Sequence, residues 1–252
     1  MVKGMTWAGL LLAGAGLFTA GLLMGRQCAP AHAPGGSACD RVADQRLPLP
    51  VAGAAAIAAG VDSTAAPARH PFPELPRSRE GLTGVAEAFG GDSADEARWL
   101  DQHGFPNALQ WERYTLASDL QLEQAMLAGD TVARSMLDAR RLRTDPQAEA
   151  RLLLAGAEGD LFALNQLAAF KARSRDGAAE AYAISRAAEM RGDLTLTLTR
   201  SIMLGGRLPE AQRLLAEAEA LALNRHLNQL YRQKHGVDPP PVEQRPYQMD
   251  ES

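Results

Sequence analysis

Apolar and polar positions follow different rules in different parts of this chain. From Met5 to Gly25 (MTWAGLLLAGAGLFTAGLLMG) no charge interrupts the apolar run. At about 1.5 Å rise per residue, the run is long enough to cross about 30 Å of hydrocarbon, which predicts a transmembrane helix. From Ala29 to about Gly81 no sustained period survives. Pro and Gly recur too often there for a long helix or a central strand, so a disordered linker is expected. From Leu82 to Gly236 proline nearly vanishes, and Leu152, Leu153, Leu161, Leu164, Leu167 and Ala168 recur at helical spacing, the mark of a buried face. Val237 to Ser252 is again Pro-rich and polar and reads as a disordered tail. The pattern divides the chain into an anchor (1–26), a linker (27–81), a helical body (82–236) and a tail (237–252).

Within the body the interruptions carry as much information as the runs. Gly-Asp pairs stand at Gly91-Asp92, Gly129-Asp130, Gly159-Asp160 and Gly192-Asp193, at spacings of 38, 30 and 33 residues, the range of helical repeats. Glycine can end a helix at positive φ, and aspartate can then cap the next helix by accepting backbone N–H bonds. Each pair therefore predicts a tight turn between two packed helices. Ala133 and Leu137, then Ala163 and Leu167, follow four and eight positions beyond the glycine, where small or apolar residues let neighbouring helices approach closely.

The segment AAEAYAISRAAEMRGD, within residues 169–198, resembles the Sel-one-like class of tetratricopeptide (TPR) repeats through Tyr182, Ala187, Ala188, Glu189, Gly192 and Asp193. Degenerate copies keep the turn at LAGAEGD (154–160) and QAMLAGD (124–130). Gly206-Arg207-Leu208-Pro209-Glu210-Ala211 resembles the ordinary TPR turn. The resemblance spans about 110 to 150 residues. It implies an all-α, TPR-like solenoid of αα-hairpins, roughly eight to ten helices, of a kind that usually binds proteins or peptides.

Composition points the same way. There are 47 Ala and 35 Leu, with only 5% aromatics, so helices are favoured over sheets. A net charge of −4 supplies no field to gather nucleic acid, and no nucleic-acid partner is expected. Arginine outnumbers lysine 23 to 3, which reads as a compositional bias.

The N-terminal run admits two fates. Its length and the closing Arg26 favour an uncleaved signal-anchor, while Ala31-His32-Ala33 looks like a cleavage site and keeps export after signal cleavage as the alternative. Arg26, Arg41 and Arg46 on the far side would hold the body inside by charge counting. The short Lys3-bearing tail and the Pro/Ala-rich stalk instead favour a single-pass protein of a bacterial-type inner membrane with its body on the periplasmic side. Outside the cytoplasm, Cys28 and Cys39 are candidates for a disulfide; inside, they would stay thiols.

Chemistry is sparse. His32, His70, His103, His226 and His235 show no metal-ligand spacing, and phosphate-loop, nucleophile-elbow and dinucleotide motifs are missing, so no metal, cofactor or catalytic residue is expected. The carboxylate pairs Glu217/Glu219 and Asp92/Asp95 read as solvated faces and caps. Arg140, Arg141 and Arg143 read as complements to a helix C-terminus. One aromatic concentration, Trp99, Phe105, Trp111 and Tyr114, is either a staple around the turn at His103-Gly104 or part of a peptide pocket. Trp99, Trp111, Tyr114 and Tyr182 are the candidate protein-binding residues. The expectation is a noncatalytic, membrane-tethered scaffold or adaptor that binds a protein or peptide. The alternatives are an assembly subunit of an envelope complex associating mainly through its transmembrane helix, and an enzyme with an unrecognised site.

Overall fold

The computed structural model describes residues 69–82, 89–91, 93–174, 176–204 and 206–246. The membrane span, Cys28 and Cys39 lie outside the described residues. Among those described, no helix is long and apolar enough to cross a membrane.

The described residues are all-helical, with nine helices: α1 (Ala94–Gln102), α2 (Ala108–Leu116), α3 (Asp119–Leu127), α4 (Thr131–Arg141), α5 (Ala148–Ala157), α6 (Leu161–Ala172), α7 (Ala178–Met190), α8 (Thr195–Leu204) and α9 (Glu210–His235). Side chains written into the sequence start several of them. Ser93 accepts from the Glu96 amide at the head of α1. Asn107 with Gln110, and Ser118 with Gln121, close capping boxes on α2 and α3. The Asp130 and Asp160 carboxylates accept from the Ala133 and Ala163 amides at 2.8 and 2.9 Å.

Three of the Gly-Asp turns share one backbone design. Gly129, Gly159 and Gly192 have φ of 90°, 100° and 111°. The next amide, of Asp130, Asp160 or Asp193, donates back to the carbonyl of Ala125, Ala155 or Ala188, at 3.0, 3.0 and 3.2 Å. This six-to-one bond closes the helix end, and the same aspartate stands just ahead of the next helix. At the first pair the cap belongs to Ser93, one residue after Asp92, so the Gly-Asp reading shifts by one position there.

Packing follows the short connections. α3 lies on α4, α5 on α6 and α7 on α8, while α6 also meets α4 and α7, and α9 returns across α7 and α5. α6 is the centre: Leu161, Phe162, Ala163, Leu164, Leu167 and Ala168 are all buried, and no residue of the helix is fully exposed. Leu152 joins this core, while Leu153 packs at its edge. Gly156 on α5 lets Leu164 in, since a Cβ there would stand 2.5 Å from the Leu164 side chain. On α9, Ala216, Ala220 and Leu227 are buried and Leu223 and Leu230 half-buried, a seam of alternating steps of four and three.

Both ends of the body lie further out than composition suggests. Within the expected linker, Phe72 packs against Tyr114, with ring centroids 5.9 Å apart. Arg79 is buried, paired with Asp101 at 2.5 Å and donating to the Phe105 and Pro106 carbonyls. Within the expected tail, Arg245 is buried and its amide donates to the Gly192 carbonyl. Single side chains anchor these Pro-rich stretches, and a window average of composition does not register them.

Arginine also has a use beyond bias. Arg140 of α4 donates to the carbonyls of Tyr114, Thr115 and Ala117 at the end of α2, so it complements a neighbouring helix rather than its own. Arg191 reaches the Ala157 carbonyl at the end of α5, and Arg207 reaches the Ala172 and Ser174 carbonyls at the end of α6. A guanidinium fork can serve several orphan carbonyls at once, which an ammonium does less well.

Candidate functional site

The four aromatic candidates do not form one exposed face. Tyr114 is fully buried, and its hydroxyl donates to Asp130 Oδ2 at 2.7 Å. Burial, reinforced by the Asp130 carboxylate, pushes this phenol far above its ordinary value. Trp111 is half-buried and meets Phe89 and Phe162 edge-on, at 5.3 and 6.5 Å between centroids. Tyr182 belongs to a separate cluster: its hydroxyl donates to Glu217 of α9, and Arg200 lies over its ring. For Tyr114 a partner-contact role gives way to core packing, because no part of its side chain reaches the surface.

Trp99 is different. It is buried, stacked on His103 at 4.1 Å, and packed near Phe105 around the positive-φ turn at Gly104. Its indole N–H, however, donates outward to the Glu243 carbonyl, 144 residues along the chain, at 3.1 Å. Trp99 thus packs around the turn as a staple would and also bonds a distant backbone segment of the same chain.

The partner in that contact is the segment after α9. Gly236, at φ 72°, ends the helix, and residues 238–246 then run without helix or turn. Pro239-Pro240-Pro241 stiffens the run in an extended form. Beneath it lies a cleft of about 390 Å³, bounded by His103, the α5–α6 turn, Arg191 and the α9 side chains Asn224, Asn228 and Tyr231. Val237 and residues 240–244 are exposed, so the segment is a strap over the cleft rather than part of the core.

The strap is fastened at Arg245. Its Nε and Nη2 lie 2.8 and 2.6 Å from Glu96 Oε1, its Nη1 lies 3.1 Å from Thr195 Oγ1 and 3.7 Å from Asp193 Oδ1, and Nη2 also donates to the Phe89 carbonyl. The guanidinium carbon stands 5.6 Å from the centre of the Trp99 ring, within range of a cation–π contact. The three charged side chains are almost wholly buried: Arg245 is 3% exposed, Glu96 9% and Asp193 0%. Burial raises the Asp193 carboxyl, against the opposing pull of Thr195 and Arg245. Two glycines make room. A Cβ on Gly90 would stand 2.6 Å from Arg245 Nη2, and one on Gly192 would run into the Glu243 carbonyl.

Inside the cleft, His103 Nδ1 lies 2.7 Å from the Trp99 carbonyl. That oxygen can only accept, so Nδ1 carries the proton; burial lowers the His103 pKa, against the opposing pull of the Trp99 carbonyl and of Glu243 and Asp193. Arg191 donates to Asn228 Oδ1 at 2.9 Å and to the Ala157 carbonyl at 3.0 Å, while its Nε has no hydrogen-bond partner among the described residues. Among the described residues, no group of three or more His, Cys, Asp or Glu is placed to hold a metal ion.

Sequence reasoning passed over Glu96, Asp193 as an arginine partner, and Arg245. The signal for Arg245 was faint: a single arginine between prolines in a segment that otherwise reads as tail. No family model, curated protein or solved structure matches this chain.

Proposed function

We propose that this chain is a noncatalytic protein-binding module, tethered to a bacterial-type inner membrane through residues 1–26, whose helical hairpins are TPR-like repeats. The observation that carries the reading is the strap: the helical body holds an extended segment, residues 239–245, by a bond from the Trp99 indole, a backbone bond to the Gly192 carbonyl and one deeply seated side chain. A stack of helical repeats of the kind the sequence resembles offers an extended concave surface for proteins or peptides. The three turns with the same Ala carbonyl, positive-φ Gly and Asp, 30 and 33 residues apart, support the repeat reading. The anchor, with its body on the periplasmic side, would raise the local concentration of a captured partner at the bilayer.

The test is proximity crosslinking followed by mass spectrometry, with the full chain beside a chain lacking residues 1–26. Recovery of one partner by both supports capture by the body. A partner seen only with the full chain would transfer the function to the anchor, as in an envelope-complex assembly subunit.

A further inference from the structure

We infer that the Arg245 pocket is a recognition site for an arginine carried on an extended, proline-rich segment. It is filled in cis by the chain's own strap and accepts the same chemistry from a partner in trans. The inference rests on the protein-binding reading above and names the partner's chemistry.

Three features make the pocket a built site. Its donors and acceptors fit one shape: Glu96, Asp193, Thr195 and the Phe89 carbonyl surround a planar fork, and the Trp99 indole faces the guanidinium. A lysine ammonium offers no planar fork to this arrangement. The backbone of the occupant is also read, since Trp99 Nε1 donates to the carbonyl two residues before the arginine and the Gly192 carbonyl accepts from the arginine's own amide. Gly90 and Gly192, finally, leave the space that a side chain would fill.

The strap is built to leave. Its hold is concentrated at Glu243 and Arg245, while residues 240–244 are exposed and Gly236 supplies a left-handed joint at its root. A strap on so short a tether has an effective concentration in the millimolar range, so it shields the pocket from weak competitors. A partner displaces it by presenting arginine on a polyproline-like segment, which enters already extended and loses little entropy.

The experiment uses the full chain with a protease site inserted between Gly236 and Val237, and a fluorescent peptide of the strap sequence VDPPPVEQRP read by anisotropy. After cleavage and removal of the freed strap, with helical circular dichroism unchanged, the peptide binds. Its Arg→Ala version binds at least about 30-fold more weakly, as expected for losing a buried charge pair. The uncleaved chain binds the peptide more weakly than the cleaved one by the ratio of the strap's effective concentration to the peptide Kd, about 100-fold for a Kd of about 10 μM against a millimolar internal competitor. Equal binding of the Arg and Ala peptides, or no binding by a cleaved and still helical body, overturns the inference.

Should cleavage unfold the body, hydrogen exchange on the uncleaved chain decides. Millimolar peptide must speed exchange at the Arg245 amide, and the Ala version must not; no difference overturns the inference. A crosslinked partner whose capture is unaffected by excess strap peptide would remove the arginine site and leave the protein-binding reading standing.

Discussion

Replacing Tyr114 by Phe removes one hydroxyl and nothing else, so it isolates the bond that decides whether this ring serves the core or a partner. The hydroxyl donates to Asp130 Oδ2 at 2.7 Å, and both residues are buried. Asp130 Oδ1 is already used by the Ala133 amide, which it caps at 2.8 Å. Without the phenol, His70 Nε2, at 3.4 Å, is the nearby polar group that Oδ2 keeps among the described residues. A hydrogen bond from a neutral donor to a buried charged acceptor contributes about 1.5–3 kcal/mol, and the His70 ring can recover part of it. The expected loss is therefore about 2 kcal/mol. For a body of this size that lowers Tm by about 6 °C. Urea unfolding followed by helical circular dichroism should show the midpoint falling with an unchanged slope. Crosslinking to a partner should be unaffected. A loss below about 0.5 kcal/mol, or an unchanged Tm with partner capture abolished, would refute the core assignment.

Other consequences can be tested alongside. Gly156→Ala should destabilise by about 1 kcal/mol in urea: alanine is the better helix former by about 1 kcal/mol, but overpacking against Leu164 costs about 1–3 kcal/mol; equal or greater stability would sink the argument. Phe162→Ala, at the fully buried start of α6, should cost about 3–5 kcal/mol, and a loss under 1 kcal/mol would remove α6 from the centre of the core. Burial pushes the Asp160 carboxyl up to about 6, so the native state binds more protons than the unfolded chain between about pH 4 and pH 6. Stability should therefore fall as pH rises through that window, and Asp160→Asn, which keeps the capping oxygen, should flatten the fall; parallel pH profiles for the two proteins would contradict it. With a periplasmic body, a membrane-impermeant maleimide should label Cys28 and Cys39 in whole cells after reduction, and full protection would reverse the orientation.

Much of the local design was legible before any fold was known. Helix ends are set by neighbours in sequence, so the Asp caps at 130 and 160 and the positive-φ glycines before them could be read directly, whereas the Ser93, Asn107 and Ser118 caps emerged only in the structure; the heavy use of Ala and Leu fixed the helical class. The core positions Leu161, Leu164, Leu167 and Ala168 followed from spacing, because one period serves both the helix and its buried face. Tertiary structure alone decided what the aromatics and arginines do. Trp99 and Tyr114 stand 15 positions apart, yet one ring meets the strap while the other is sealed against Asp130. Arg245 and Glu96 stand 149 positions apart, and no pattern in either neighbourhood announces the other. Periodicity reports which face of a helix is apolar. It carries no information on which distant charge a buried arginine will meet, because that pairing is settled only when α9 has crossed α7 and turned the strap back over α1.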